Sequence, residues 1–110
     1  MRQLSLALVI VLTFILSVTK TAKAHKLPSW WLRAALCVHS HEGSWTANTS
    51  NGFYGGLQFL RSTWISSGGL RYASYPHYAT PHEQLHVAYT LWQRAGWAPW
   101  PVTSRQCGLR

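Results

Sequence analysis

Acidic side chains are scarce in this sequence: its 110 residues contain two glutamates and no aspartate. Glu42 directly precedes Gly43, and Glu83 lies three residues after Thr80. A reaction that takes a proton from a protein carboxylic acid, or returns one to it, must therefore use one of these two side chains.

Glu83 occupies a position with a structural role. Thr80 is a predicted helix N-cap, Pro81 suits the first helical turn, and Glu83 is the third residue, which can reach back to the cap. The helix is predicted to continue to about Arg94 and to stop at Gly96. A carboxylate that is hydrogen-bonded to N–H groups at a helix start is stabilised as the anion, so it is a poor proton donor. Glu42 is therefore the candidate acid.

A zinc peptidase is an alternative for the same segment, because His82, Glu83 and His86 match the pattern H-E-x-x-H. No acid follows Glu83 to act as a third ligand, and Trp92 stands where the extended motif requires histidine. The histidines that could in principle complete a site are His39, His41 and His77. We expect no metal, and we expect His82 and His86 to lie on an exposed flank of the helix.

The N-terminal 24 residues have the pattern of a secretory signal peptide. Arg2 precedes an apolar run over residues 4–18, and small residues at Ala22 and Ala24 precede the expected cleavage site. The predicted organisation is therefore a signal peptide over residues 1–24 and one domain over residues 25–110. An uncleaved signal anchor is the alternative, although the apolar run is short for a membrane span.

Charge and cysteine content describe the remaining 86 residues. Removing Arg2, Lys20 and Lys23 leaves seven basic side chains against two glutamates, a net side-chain charge of +5. The basic residues are scattered, which favours a generally cationic exterior that suits an anionic partner. Cys37 and Cys107 are the only cysteines, and export favours a disulfide between them over two free thiols.

Apolar spacing and turn residues predict the elements. The spacing of Trp31, Ala34, Ala35 and Val38 indicates a helix from Trp30 to Glu42, with Ser29 as its cap. Asn51-Gly52 is a hairpin turn signal, and Gly55-Gly56 indicates a close backbone approach. A short helix over residues 60–67, an ordered loop over residues 70–79 and an irregular tail that ends at Cys107 complete the expectation. The predicted class is α+β, mainly helical, with one short hairpin.

Seven tryptophans exceed what a small core holds comfortably, so some should line a cleft.

A series of spaced motifs in order carries a family resemblance across nearly all of this domain. The motifs are N-T-x-N-G-F-Y-G-G-L-Q-F from Asn48, S-T-W from Ser62, G-G-L-R-Y-A from Gly68, A-T-x-x-E-Q-x-x-V-A from Ala79, and G-W-x-x-W-P-V from Gly96. Together they resemble the resuscitation-promoting factor, or transglycosylase-like, domain of actinobacteria.

The resemblance implies a lysozyme-like fold that cleaves the β-1,4 glycan of peptidoglycan with one catalytic glutamate. It implies that Glu42 is this residue and that Thr63 contacts the substrate. The other residues that it places along the sugar groove are Tyr54, Gln58, Trp64, Trp45 and Asn48. It also implies that His82 and His86 hold no metal.

Both cysteines depart from the family pattern, which places one directly before the catalytic glutamate. Here Cys37 lies five residues before Glu42, while Thr103 occupies the usual place of the second cysteine and Cys107 follows four residues later. Both have moved by about one helical turn, as expected if the disulfide moved as a unit.

The sequence thus predicts a secreted or wall-associated monomer without a cofactor, which acts as a lytic transglycosylase or muramidase on peptidoglycan strands. A wall endopeptidase is a candidate partner, and nucleic acid is not expected as one. The alternatives are a peptidoglycan-binding module without catalysis and, less favoured, the zinc peptidase. A cationic protein that binds nucleic acid or membranes is disfavoured by export and by the ordered motifs.

Overall fold

The computed structural model describes residues 26–110, so the predicted signal peptide over residues 1–24 lies outside the described residues. Among the described residues, none of the helices is long and apolar enough to cross a membrane. The elements in chain order are helix α1 (Ser29–Glu42), strands β1 (Phe53–Tyr54) and β2 (Phe59–Leu60), helix α2 (Arg61–Ser66), 3₁₀ turns at Gly69–Arg71 and Pro76–Tyr78, helix α3 (Pro81–Ala95) and helix α4 (Pro101–Gln106). The predicted α+β class, mainly helical with one hairpin, is confirmed.

Helix α1 follows its predicted apolar spacing. Trp31, Ala35 and Val38 form its buried face, and Ala34 is half-buried. The helix begins one residue earlier than expected, because Ser29 is its first helical residue and Pro28 stands at the cap without a side-chain hydrogen bond. The predicted cap was therefore wrong, although the helix and its end at Glu42 are confirmed.

The hairpin is present, but its turn is not the one that the sequence predicted. Strands β1 and β2 pair antiparallel, with Phe53 opposite Leu60. The connecting turn runs from Gly55 to Gln58, and both residues have positive φ angles, of 78° and 51°. Asn51 instead forms a local turn before β1, because its side-chain oxygen accepts a hydrogen bond from the Phe53 N–H at 3.0 Å.

Helix α3 confirms the predicted capping box. Thr80 Oγ1 accepts a hydrogen bond from the Glu83 N–H at 3.1 Å, and Glu83 Oε1 accepts one from the Thr80 N–H at 2.9 Å. Gly96 ends the helix with a φ of 58°. The buried face consists of Gln84, Leu85, Val87, Ala88 and Leu91.

Helix α4 was missed, because a tail without regular structure was expected there. Its six residues are too few for a periodic apolar pattern, although Pro101 occupies the first turn, where proline is favoured. Thr103 and Ser104 are buried, and Cys107 follows the helix as its C-cap. Tertiary packing therefore holds a helix that its own sequence specifies weakly.

Most of the tryptophans belong to the core rather than to a cleft. The Trp31 ring is fully buried, with ring centroids at 4.9 Å from Tyr89, 6.1 Å from Trp97 and 6.3 Å from Trp92. Among the seven tryptophans only Trp30 is exposed, at 55%. Offset and edge-to-face aromatic packing of these rings fills the small core, while Trp100 also lines a pocket.

The predicted disulfide between Cys37 and Cys107 is confirmed, and it joins the middle of α1 to the end of α4 across 70 residues of chain. A covalent link across so long a loop limits the conformations of the unfolded chain. The disulfide therefore stabilises the short helix α4 as part of the fold.

We expect the double variant Cys37→Ala/Cys107→Ala to lose about 4 kcal/mol of unfolding free energy in urea. A reducing agent should lower the wild-type value to that of the double variant and leave the double variant unchanged. A reductant effect of equal size on both proteins would contradict the assigned role of the disulfide.

Candidate functional site

Glu42 lies where the buried face of α1 leaves the core. It follows Val38 by four residues, so the two side chains share one side of the helix. The backbone then straightens at Gly43, whose φ and ψ angles are 175° and 177°. Glu42 is consequently half-buried, whereas the neighbouring His41 is exposed.

Burial raises the pKa of the Glu42 carboxyl group above its ordinary value, because partial removal from water disfavours the anion. The C-terminal end of a helix carries partial negative charge, which also disfavours a carboxylate there. Glu42 is therefore more easily kept protonated than an exposed glutamate, as a general acid requires.

Gln58 is the predicted site residue that packs against Gly43, the residue after Glu42. A methyl group added at Gly43 would lie 3.4 Å from Gln58 Nε2, so this amide packs against the residue that follows Glu42. The amide is held in place, since its Nε2 donates a hydrogen bond to the Gly55 carbonyl at 2.9 Å. Its backbone φ is +51°, which is uncommon for a residue with a side chain.

Gln58 also lines a pocket of about 200 Å³. Its wall is mostly apolar, with Gln58 and Thr63 as the polar side chains. The complete lining is Phe53, Leu57, Gln58, Phe59, Leu60, Thr63, Leu91, Pro99 and Trp100. Glu42 is not among these residues. An apolar wall with a few polar groups is typical of a ligand site.

Trp45 is half-buried in the loop after Glu42. Its ring stacks on His39 with centroids 3.8 Å apart, and it lies so close to Gly56 that a side chain at that position would overlap it. The predicted close approach at Gly55-Gly56 is thus confirmed. Asn48, farther along the loop, is exposed and forms an isolated antiparallel bridge with Tyr54.

His39 is half-buried and contacts the hairpin turn. Its Nδ1 lies 2.7 Å from the Gly56 carbonyl oxygen, and it must be the donor because a carbonyl only accepts. Together with the Trp45 stack, this hydrogen bond joins the last turns of α1 to the hairpin turn.

Two predicted groove residues lie elsewhere. Trp64 is fully buried, and its Nε1 donates a hydrogen bond to the Ala73 carbonyl at 2.9 Å, so it belongs to the core and cannot line a groove in this conformation. Tyr54 is half-buried and packs against His77 and Tyr75, with ring centroids 5.2 Å and 5.1 Å away. The structure therefore brings Gln58 and Thr63 together in one pocket but separates Trp64 from it.

Gln84 is the residue that sequence reasoning missed. It is fully buried, and its Oε1 accepts a hydrogen bond from the Gly56 N–H at 2.9 Å. Its Nε2 donates to the carbonyl groups of Trp45, at 2.9 Å, and Ala79, at 3.0 Å. The position of Gln84 on the apolar face of α3 was the signal that could have identified it. A buried amide requires hydrogen-bond partners, so a glutamine on such a face indicates contacts with other segments.

The H-E-x-x-H segment does not gather a third ligand. The Nε2 atoms of His82 and His86 lie 3.0 Å apart, while the Glu83 carboxylate is bonded to the helix cap. Within residues 26–110, the only group of three or more potential ligands is Cys37, His41 and Cys107, and its two sulfurs form the disulfide. The geometry therefore offers no support for the zinc peptidase.

Replacing Glu42 with glutamine should change how stability depends on pH. The raised pKa means that the folded state binds more protons than the unfolded state above the ordinary glutamate pKa of about 4.3. Wild-type stability should therefore fall, relative to Glu42→Gln, as pH rises through the window between the two pKa values. Urea unfolding of both proteins between about pH 4 and pH 7 measures this difference. A difference that stays constant, or that favours the wild type at higher pH, would contradict burial of the carboxyl group.

The variant Gly56→Ala should lose about 1–3 kcal/mol of unfolding free energy, because the new methyl group would overlap Trp45 and displace His39. Gly43→Ala is the matched control, since its methyl group meets Gln58 at an ordinary contact distance. Thermal unfolding should show a clear loss for the first variant only. Equal losses of unfolding free energy in the two variants would mean that the close contact between Gly56 and Trp45 does not exclude a side chain at position 56.

Comparison with known proteins agrees with this architecture. A family model described as a transglycosylase-like domain matches residues 28–103. Resuscitation-promoting factor RpfB of Mycolicibacterium smegmatis is 50% identical over 68 residues, which are 62% of this chain and 19% of that protein. Resuscitation-promoting factor Rpf of Micrococcus luteus is 44% identical over 79 residues, which are 72% of this chain and 33% of that protein. The chain thus spans between about a fifth and a third of the length of these relatives. On this match the chain, a small lysozyme-like α+β domain, belongs to the transglycosylase-like domain family.

Proposed function

We propose that this protein cleaves the β-1,4 glycan of peptidoglycan, with Glu42 as its single acid–base group. The observation that carries the proposal is the half-buried carboxyl group at the end of α1, whose pKa is raised by burial and whose neighbour Gly43 packs on Gln58. Membership of the transglycosylase-like family and the similarity to resuscitation-promoting factors support the same substrate class.

A single acid restricts the mechanism. Most glycosidases use two carboxyl groups, separated by about 5–10 Å, one as acid and the other as nucleophile or base. Here Glu83 is the only other acid in the chain, and it is bonded to the Thr80 N–H at the start of α3. The second group must therefore come from the substrate or from water.

A lytic transglycosylase reaction satisfies this restriction. Glu42 donates its proton to the glycosidic oxygen, and the bond from that oxygen to the muramyl C1 breaks. The muramyl 6-hydroxyl oxygen then bonds to C1, and its proton passes to the Glu42 carboxylate, which restores the acid. The products are a free 4-hydroxyl group and a 1,6-anhydromuramyl end. Attack by water instead of the 6-hydroxyl group would give hydrolysis.

The pocket that Gln58 and Thr63 line is the proposed place for sugar units next to the cleaved bond. Phe53 and Leu60 at its rim are 40% and 43% exposed, so they can cover the apolar faces of sugar rings. Trp45 and Asn48 lie in the loop after Glu42 and are proposed to contact the glycan on the other side of that residue.

The place of action is proposed to be the cell wall, after export directed by residues 1–24. The disulfide supports this, because such bonds persist in oxidising compartments outside the cytoplasm. The protein would act there as a monomer, and a wall endopeptidase is a candidate partner.

Glycan-binding without catalysis is the second candidate function. It is favoured by one observation, namely that Glu42 does not line the 200 Å³ pocket itself. A binding module would use the Gln58–Thr63 pocket and would release no products from the wall.

The decisive experiment compares Glu42→Gln with Glu83→Gln in digests of purified sacculi, read by mass spectrometry. Glu42→Gln should lower the cleavage rate by about 10²–10⁴-fold, because the amide cannot donate the proton. Glu83→Gln should keep the activity and should lose only up to about 1 kcal/mol of stability from the weakened cap.

Anhydromuramyl ends in the wild-type digest identify the transglycosylase reaction, and reducing ends identify hydrolysis. Glycan cleavage that persists in Glu42→Gln would refute the assignment of the acid. Wild-type protein that binds sacculi and releases neither product would establish the binding module instead.

A further inference from the structure

A second pocket, larger than the first, lies between other elements of the fold. Its volume is about 460 Å³, compared with about 200 Å³ for the pocket of Gln58 and Thr63. Its walls come from the segment before α1, the chain around the first 3₁₀ turn, and the α3 residues between His86 and Gln93. The two pockets share no lining residue among those that the structure describes, and the larger one does not include Glu42.

The side chains around this second pocket are suited to an anion. Lys26 and Arg71 supply positive charge, and both are exposed. The Arg71 guanidinium lies over the Tyr72 ring, 5.8 Å from its centroid. Arginine N–H groups form strong paired hydrogen bonds with carboxylate and phosphate groups.

Negative charge is missing from this surface. The chain has two acids, and neither lines the pocket. Glu42 lies at the end of α1, and Glu83 lies one helical turn before His86 with its carboxylate bonded to the Thr80 N–H. An anionic ligand would therefore meet the positive charge of the pocket without a competing carboxylate in its wall.

Uncharged groups of the pocket match a carbohydrate. Tyr72 supplies an aromatic ring that is 37% exposed, and Tyr89, whose ring packs on Trp31 and Trp92, also lines the pocket. Thr90 and Gln93 add a hydroxyl group and an amide. Aromatic rings pack against the apolar faces of sugars, while hydroxyl and amide groups can bond sugar hydroxyls. The combination favours an anionic sugar polymer over an isolated small ion.

We propose that this pocket binds a segment of wall polysaccharide that bears carboxylate or phosphate groups, and that it holds the protein on the wall while the Glu42 site acts. The inference rests on the proposed function for its biological setting. The binding itself is a separate property of residues that take no part in the cleavage.

The test measures binding of purified protein to sacculi in a Glu42→Gln background, where the polymer is not cleaved. Arg71→Ala removes the guanidinium, and Arg33→Ala removes one exposed charge of α1 outside both pockets as the matched control. Three probes are compared: untreated sacculi, sacculi stripped of phosphate polymers with hydrofluoric acid, and a neutral chito-oligosaccharide.

Arg71→Ala should weaken binding to untreated sacculi at low salt by at least about tenfold, as expected for lost charge-assisted hydrogen bonds. Arg33→Ala should have a much smaller effect, and neither change should alter binding of the neutral oligosaccharide. Loss of the Arg71 effect on stripped sacculi would identify phosphate as the ligand group, and its persistence would identify carboxylate.

Equal losses for Arg71→Ala and Arg33→Ala would overturn the proposal, because they would show that total charge alone determines binding. An unchanged affinity of Arg71→Ala would overturn it as well. Both variants are also introduced into the wild-type protein, and sacculus cleavage is measured separately. If the binding proposal is wrong, cleavage of sacculi is still observed. If the proposed cleavage is wrong, the binding of Arg71→Ala and Arg33→Ala can still be compared.

Discussion

The buried amide of Gln84 is the interaction on which the site depends. It joins the first turn of α3 to the N–H of Gly56 and to the carbonyl of Trp45. A buried amide that lost these partners would cost the full desolvation of its polar atoms, so the three segments must keep their relative positions. The capping box fixes the start of α3. The hydrogen bonds of Gln84 then hold the loop after Glu42 and the hairpin turn in place against that helix start.

From Gly56 and Trp45 the restraints continue to α1. His39 bonds the Gly56 carbonyl and stacks on Trp45, while Cys37, two residues earlier, is bonded to Cys107 at the end of α4. The last turns of α1 are thus fixed from two sides. A carboxyl group at the end of a rigid helix keeps its position without loop support, as a proton donor requires.

The two glutamates differ because of the helix ends at which they lie. Glu83 lies at the start of α3, where its carboxylate accepts a hydrogen bond from the Thr80 N–H. Glu42 lies at the end of α1, where burial raises the pKa of the carboxyl group and no free N–H groups of the helix are at hand. One carboxylate is thereby suited to structure, and the other is suited to proton transfer.

The sequence by itself determined the elements whose signals are local. The capping box at Thr80, the end of α3 at Gly96, the apolar face of α1 and the two cysteines of the disulfide depend on neighbouring residues or on composition, and all agree with the structure. Only the tertiary structure decided which turn closes the hairpin, that Trp64 belongs to the core, that Gln84 joins three segments, and that Pro101–Gln106 is helical. These features depend on contacts between residues far apart in the chain, and the local signals of capping, turn chemistry and apolar spacing do not specify such contacts.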